Sequence, residues 1–352
     1  MFEDLLRAWD GEEAVIHYDG PSGAWIFVCI HSTALGPAGG GTRMRVYDRP
    51  GDGLADAMRL SQAMTAKMAV AGTERGGGKA VLAVPELPEG DARRALLRRY
   101  GQLVASLGGT YRTAGDMNIT PADLDVVHEV CPWVYGTTGA GGSSGRGTAR
   151  GVLHGIRASV EHLFGSADLA GRSVLVQGAG AVGHELARDL LAEGAEVLVS
   201  DVDERRAAET SAETGARVVA VEDALSTECD VYAPCAVGGT LNADTIPGLR
   251  CRIVAGSANN QLATPDDAER LHAAGILYAP DYVVNAGGVI QLIGLEDRGW
   301  SEAELEEHLA GIGDTLRRIL ADADAAGVTP AVAAERLAQE RVARASADAQ
   351  KS

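Results

Sequence analysis

RSVLVQGAGAVGHELARDLLAEGAEVLVSD, residues 172–201, is the stretch whose reading decides the fold. The apolar run ending at Gln177 has the length of a strand, HELARDLLAE (184–193) repeats apolar residues at helical spacing and stops at Gly194, and AEVLVS (195–200) is a second strand. Between the first strand and the helix, Gly178, Gly180 and Gly183 stand in G-x-G-x-x-G spacing, with Ala181 and Val182 completing the loop. The first glycine allows a tight turn, the second lets a pyrophosphate approach the backbone, and the third lets helix and strand pack closely. The helix N-terminus then faces the phosphates. Asp201, 23 residues after Gly178, ends the second strand. A carboxylate there accepts hydrogen bonds from a ribose diol and repels a 2′-phosphate, so the stretch predicts a Rossmann-type site for NAD in preference to NADP. Arg205 and Arg206 lie just beyond; they either contact a 2′-phosphate or, as is usual for arginines on a helix, form a solvated face.

Outward from this unit the texture continues on the C-terminal side. CDVYAPC (229–235) and CRIVAGSA (251–258) extend the alternation of strands and helices, which predicts a parallel sheet with helices on both faces over residues 139–325. Ser301 with Glu304 forms a capping box ahead of Leu305, Leu309, Ile312 and Leu316, and a last helix begins at Thr329-Pro330, within 326–352. On the N-terminal side, residues 1–138 read as a separate α/β domain. AVIHYDG (14–20) and AWIFVCIH (24–31) form a hairpin, and Leu54, Ala57, Met58, Ser61, Met64 and Met68 mark one face of a helix over 53–68. A buried strand (80–84), a helix (91–107) and a strand running into a loop (110–118) complete that domain.

Composition excludes several classes. A chain of 352 residues is long enough for two cores, and a net charge of −18 argues against nucleic acid as a partner. No window approaches the roughly 18 apolar residues of a membrane span. Glycine reaches 45 residues in tight clusters, which points to turns and to close backbone approach. Cys29, Cys131, Cys229, Cys235 and Cys251 are odd in number and lack a C-x-x-C pair; reduced thiols in the cytoplasm fit them better than disulfides or zinc. The N-terminus lacks the basic start and apolar core of a signal peptide. The eight histidines form no metal-like cluster, so no metal is expected, and Cys235 has no adjacent base to make it a nucleophile.

Gly76-Gly77-Gly78-Lys79 lies between a helix and an apolar strand, so Lys79 is a candidate acid/base on backbone that can come close to a ligand. That task requires its pKa to fall from about 10.4 toward neutrality, through burial and a neighbouring cation. Lys67 is placed to be that cation and to hold a carboxylate, and Asp116, in TAGDMN, could relay protons. On residue type alone, solvated lysines and a G-D-x-N turn explain the same segments.

Eight blocks in order, GPAGGGTRM (36–44), KMAVAG (67–72), GGGK (76–79), TAGDMN (113–118), SSGRGTARGV (143–152), QGAGAVG (177–183), GSANNQL (256–262) and ILYAPDYVVNAGGVI (276–290), resemble the glutamate/leucine/phenylalanine/valine dehydrogenase family. Within it, VLVQGAGAVG, APCAVGG and GWSE are most similar to the actinobacterial phenylalanine dehydrogenases. The resemblance implies two domains separated by a cleft, with the last helix packing back towards the first domain, a glycine-rich hinge near 139–151, and a homo-oligomer. It implies that Lys79 and Asp116 are catalytic and that Lys67 binds the substrate carboxylate. Gly39, Gly40, Ala114, Asn285, Val289 and Leu292 fall on substrate-side positions. Arg43, Ser144, Thr148, Ala236, Val237 and Asn259 fall on cofactor-side positions, beside the glycine loop and Asp201. The implied reaction is oxidative deamination of an amino acid to a 2-oxo acid and ammonium.

The sequence departs from the leucine-type pattern at Gly39, where a leucine is common, so a side chain that bounds the pocket is missing. Ala114, Val289 and Leu292 are apolar and would leave a glutamate γ-carboxylate unpaired. A bulky apolar substrate follows, phenylalanine first, with leucine, valine and tryptophan as alternatives. A different class, a silent NAD-binding sensor or assembly subunit, has no use for Lys67, Lys79 and Asp116 together.

Overall fold

The computed structural model describes residues 2–139 and 144–349. The chain forms two compact units, Met1–Ser143 with Leu295–Gly299 and Ala338–Ser352, and Ser144–Gly294 with Trp300–Leu337. Among the described residues no helix is long and apolar enough to cross a membrane.

The first unit runs α1 (Phe2–Trp9), β1 (Glu13–Asp19), β2 (Ala24–Ser32), β3 (Ala38–Arg45), α2 (Pro50–Val70), β4 (Gly76–Ala83), α3 (Gly90–Ser106), β5 (Tyr111–Gly115) and α4 (Pro121–His128). Its five strands lie in the order β1-β2-β4-β3-β5. The hairpin is antiparallel as expected, β2 pairs antiparallel with β4, and β3 is parallel to both β4 and β5. Ile26, Val28, Leu82, Leu96, Tyr100 and Tyr111 build a core on one face, while Phe27, Val81, Leu54 and Met58 build another on the α2 face. The alternation of neighbouring residues between these cores is the two-residue period of a strand covered on both sides.

One expectation needs correction here. Gly76-Gly77-Gly78-Lys79 is not a loop before a strand; it is the first half of β4, buried throughout. A side chain at Gly77 would collide with the Thr65 backbone of α2, and one at Gly78 would come within 2.8 Å of the Tyr111 ring. The glycines are there because helix and sheet approach too closely for a Cβ, and their poor strand propensity misleads a local reading.

The second unit continues with α5 (Gly145–Phe164), β6 (Ser173–Gln177), α6 (Ala181–Ala192), β7 (Glu196–Ser200), α7 (Glu204–Thr214), β8 (Arg217–Val218), β9 (Val231–Pro234), β10 (Ile253–Val254), α8 (Asp266–Ala273), β11 (Leu277–Tyr278), α9 (Asp281–Val284), α10 (Gly287–Leu292) and α11 (Glu302–Ala326); α12 (Pro330–Ala349) begins in this unit and belongs to the first from Ala338 onward. All recorded pairings in its sheet are parallel, in the order β11-β10-β9-β6-β7-β8. Counted from β6 this is the doubly wound order in which the strand sequence reverses between β6 and β9, and ligands bind outside the carboxyl ends of strands at such a reversal. The Ser301–Glu304 capping box is present, and Leu305, Leu309, Ile312 and Leu316 are buried as their spacing predicts.

Of the span 139–151 assigned to a hinge, residues 140–143 lie outside the described residues, and from Gly145 onward the chain is helix α5. GLEDR (294–298) falls in a π-helical turn over Ile293–Arg298. Asp297 there pairs with Arg75, Arg112 and the Tyr135 hydroxyl of the first unit, and the Gly136 amide donates to Glu296.

Candidate active site

In the first unit the parallel register of β3, β4 and β5 brings three separated charges together. Lys79, in the middle of β4, is 6% exposed. Its ammonium lies 3.0 Å from Oδ2 of Asp116, just past the end of β5. Arg43, on β3, donates Nε to the same oxygen at 2.8 Å and Nη1 to Asp56 at 2.9 Å. Asp56, on α2, also accepts from the Tyr47 hydroxyl at 2.8 Å and from Arg59 at 2.8 Å. A row of alternating charges thus backs the lysine.

Burial pushes the Lys79 ammonium below the ordinary lysine range; Asp116 opposes that fall and Arg43 adds to it. Asp116 is raised by burial, but Lys79 and Arg43 together hold it below the usual carboxylate range. Because Asp116 is shared with a guanidinium that cannot release its proton, its pull on Lys79 is divided. The arrangement favours the neutral amine more than an exposed lysine would, which suits a proton-transfer role.

Arg43, assigned from sequence to the cofactor, therefore sits against Asp116 and Asp56. It is also a cation that lowers the Lys79 pKa, after burial, which is the largest cause. Lys67 occupies the last turn of α2 and is half-buried. Ala114 pairs with Gly41, and Gly39 pairs with Gly77 on one side and Arg112 on the other. Gly40 packs so closely on the Gly78 carbonyl that no side chain fits. Asp56 and Tyr47 escaped the sequence reading, since an aspartate in the early turns of a helix carries no signal of what it faces.

In the second unit the glycine loop leaves β6 at the reversal point. Gly178 has φ +105, a conformation that L side chains rarely adopt, and a Cβ there would also come within 2.8 Å of Ala236. Gly183 has no room for a Cβ because the Gly178 carbonyl occupies the place. At Gly180, by contrast, a Cβ would meet nothing within 4 Å. Gly180 precedes α6 without a side-chain cap, so the first amides of the helix stay available to an anion, with Ala181 and Val182 in its first turn. This open cradle fits a dinucleotide pyrophosphate. Asp201, just past the end of β7, accepts from the Ala179 amide at 2.6 Å and from the Asp203 amide at 2.8 Å, so it fixes the loop. Arg205 and Arg206 are exposed and lie near Asp203.

The loops after β9 and β10 complete this edge. Ala236 and Val237 are exposed past β9, and the Ala258 amide donates to the Pro234 carbonyl at 2.9 Å, which draws the Ser257–Asn259 loop beside them. Asn285 donates Nδ2 to Asn259 Oδ1 at 2.9 Å and to the Ser257 carbonyl at 3.2 Å. Both partners are acceptors, which fixes the amide's orientation and leaves its buried Oδ1 without a hydrogen-bond partner. An acceptor of this kind can take a hydrogen bond from a water or from a ligand donor. Thr148 caps back onto the Ser144 carbonyl at 2.9 Å and lies against Gly288, while Val289 and Leu292 are half-buried on α10.

Gly183→Ala is expected to lower the thermal midpoint by several degrees, since overpacking against rigid main chain costs about 1–3 kcal/mol and about 2–4 °C per kcal/mol at this size. Thermal unfolding checks it; an unchanged midpoint would mean that strand and helix can separate at no cost.

Two sequence profiles match the chain. One, described as Glu/Leu/Phe/Val dehydrogenase, dimerisation domain, covers residues 23–139, and one described as Glutamate/Leucine/Phenylalanine/Valine dehydrogenase covers residues 198–349. The chain is 45% identical over 343 residues to a valine dehydrogenase of Streptomyces albus, spanning 96% of this chain and 93% of that one. It is 40% identical over 340 residues to a leucine dehydrogenase of Geobacillus stearothermophilus, spanning 96% and 92%. The structure of an L-tryptophan dehydrogenase from Nostoc punctiforme superposes with a TM-score of 0.86 at 39% identity, over 98% of this chain and 99% of that one.

Proposed function

The chain belongs to the glutamate/leucine/phenylalanine/valine dehydrogenase family, and from that premise we propose that it oxidatively deaminates a bulky apolar L-amino acid, phenylalanine foremost, with NAD. The products are the 2-oxo acid and ammonium, and the reverse direction is reductive amination. The observation that carries this reading is Lys79, buried and 3.0 Å from Asp116 on a strand otherwise lined with glycine and apolar residues.

NAD, when bound, accepts the hydride from the substrate Cα. The remaining steps fall to side chains. Neutral Lys79 takes a proton from the substrate amine or from the water that attacks the imino carbon, and Asp116 accepts and returns it. Lys67 holds the substrate carboxylate, and Asn285 accepts a hydrogen bond from the substrate amine through its orphaned Oδ1. Gly178, Gly180, Gly183 and the α6 N-terminus hold the pyrophosphate, and Asp201 the adenosine ribose. The dimerisation-domain match supports a homo-oligomer, and five free cysteines, four of them buried, suit the cytoplasm.

The test is NADH formation by the purified chain against a panel of L-amino acids. Apolar substrates should be turned over with phenylalanine leading, and glutamate should not. A chain that binds NAD and turns over no amino acid would be a sensor or assembly subunit instead. Lys67→Ala should raise the KM for the amino acid at least tenfold with a smaller loss in kcat, because a charge-assisted contact holds the carboxylate before and during reaction. An effect confined to the KM for NAD would remove Lys67 from the substrate site.

A further inference from the structure

Gly39 leaves a gap on the sheet, and the structure shows what borders it. Its backbone is ordinary strand, without the positive φ that would demand glycine. A Cβ at Gly39 would meet a single neighbour, the Cε methyl of Met68, at 3.2 Å. Met68 comes from α2, the residue after Lys67, and is itself buried. Thr73 holds it in place: the hydroxyl lies 3.1 Å from the Met68 carbonyl and 3.3 Å from its sulfur. The thioether end is thus laid across the position where a pocket-bounding side chain is missing.

The register ties that position to the reacting groups. Gly39 is opposite Gly77 on β4, and α2 covers the Gly77 face through Thr65. Side chains two residues apart share a face, so Lys79 stands on the same face as Gly77, one repeat of about 7 Å further along β4. On β5, Arg112 is opposite Gly39 and Ala114 opposite Gly41, where a Cβ would come within 3.1 Å of Asp116 Cβ. A substrate whose amine lies at Lys79 and Asp116 can therefore direct its side chain along this face, over Gly41 and Ala114, towards Gly39 and the Met68 methyl.

Resting on the dehydrogenase reading above, we infer that Met68 is a specificity-determining residue, a movable stop that sets how large an apolar side chain the site accepts. Methionine suits the task because it is unbranched, with three rotatable bonds, and can withdraw to admit a phenyl ring. A β-branched residue there is stiff at χ1 and could not.

The experiment measures kcat/KM for L-phenylalanine, L-tryptophan and L-valine in the wild-type chain, Met68→Ile and Met68→Ala. Met68→Ile should lower the phenylalanine-to-valine ratio at least tenfold, and Met68→Ala should raise the tryptophan-to-valine ratio at least tenfold, with the KM for NAD unchanged in both. Ratios within twofold of wild type in variants that still turn over would make Met68 a packing residue and overturn the inference. If Met68→Ala fails to fold, Thr73→Val replaces it: releasing the sulfur should raise the tryptophan-to-valine ratio, and an unmoved ratio overturns the inference equally. A wild-type chain that forms no NADH with any amino acid would overturn the dehydrogenase reading and the role of Met68 with it.

Discussion

Lys79→Ala should lower kcat by about 10²–10⁴-fold, the usual worth of a positioned acid/base, while NAD affinity stays within about twofold. The separation of effects follows from the architecture: the lysine lies in the first unit, whereas the glycine loop, Asp201 and the loops after β9 and β10 belong to the second. Retention of more than about a tenth of the wild-type kcat, a loss below ~1.4 kcal/mol, would remove Lys79 from the mechanism. The same residue predicts the pH dependence. Oxidative deamination needs the neutral amine, so kcat/KM should rise with pH as Lys79 loses its proton, with a midpoint below the ordinary lysine value of about 10.4 because burial and Arg43 disfavour the ammonium. Asp116 opposes that fall, so Asp116→Asn should move the midpoint lower still while reducing the maximal rate. A midpoint that stayed in place in Asp116→Asn would mean that the titrating group is another one.

The second large effect concerns cofactor choice. NAD should be preferred over NADP by at least ~100-fold in kcat/KM, since a carboxylate facing a phosphate in a partly buried site costs a few kcal/mol. Asp201→Ala is not a clean probe, because it also releases the amides of Ala179 and Asp203 and loosens the loop. Asp201→Asn removes the charge and keeps one acceptor. It should narrow the preference at least tenfold, mainly by improving NADP, whereas Asp201→Ala should in addition weaken NAD. Equal use of both cofactors by the wild type would mean that Arg205 or Arg206 leaves Asp203 to bind the 2′-phosphate.

What the sequence by itself determined is local. The βαβ unit over 172–201 was legible because the strand, the glycine spacing and the helix are contiguous in sequence, and the capping box before α11 because donor and acceptor are three residues apart. The parallel sense of the second sheet and the antiparallel hairpin follow from the same short-range patterns, whereas the strand order comes from the structure. Tertiary structure decided what lies opposite what. Periodicity says that a face is buried and not which residue covers it, so the sharing of Asp116 between Lys79 and Arg43, 73 residues from Arg43 in sequence, was out of reach. The glycines before Lys79 read as a loop because glycine is a poor strand former, yet they are strand because α2 and Tyr111 press too close for any side chain. At Gly39 the sequence showed that a side chain was missing; only packing, which joins residues by volume and not by spacing, placed the methyl of Met68 beside the gap.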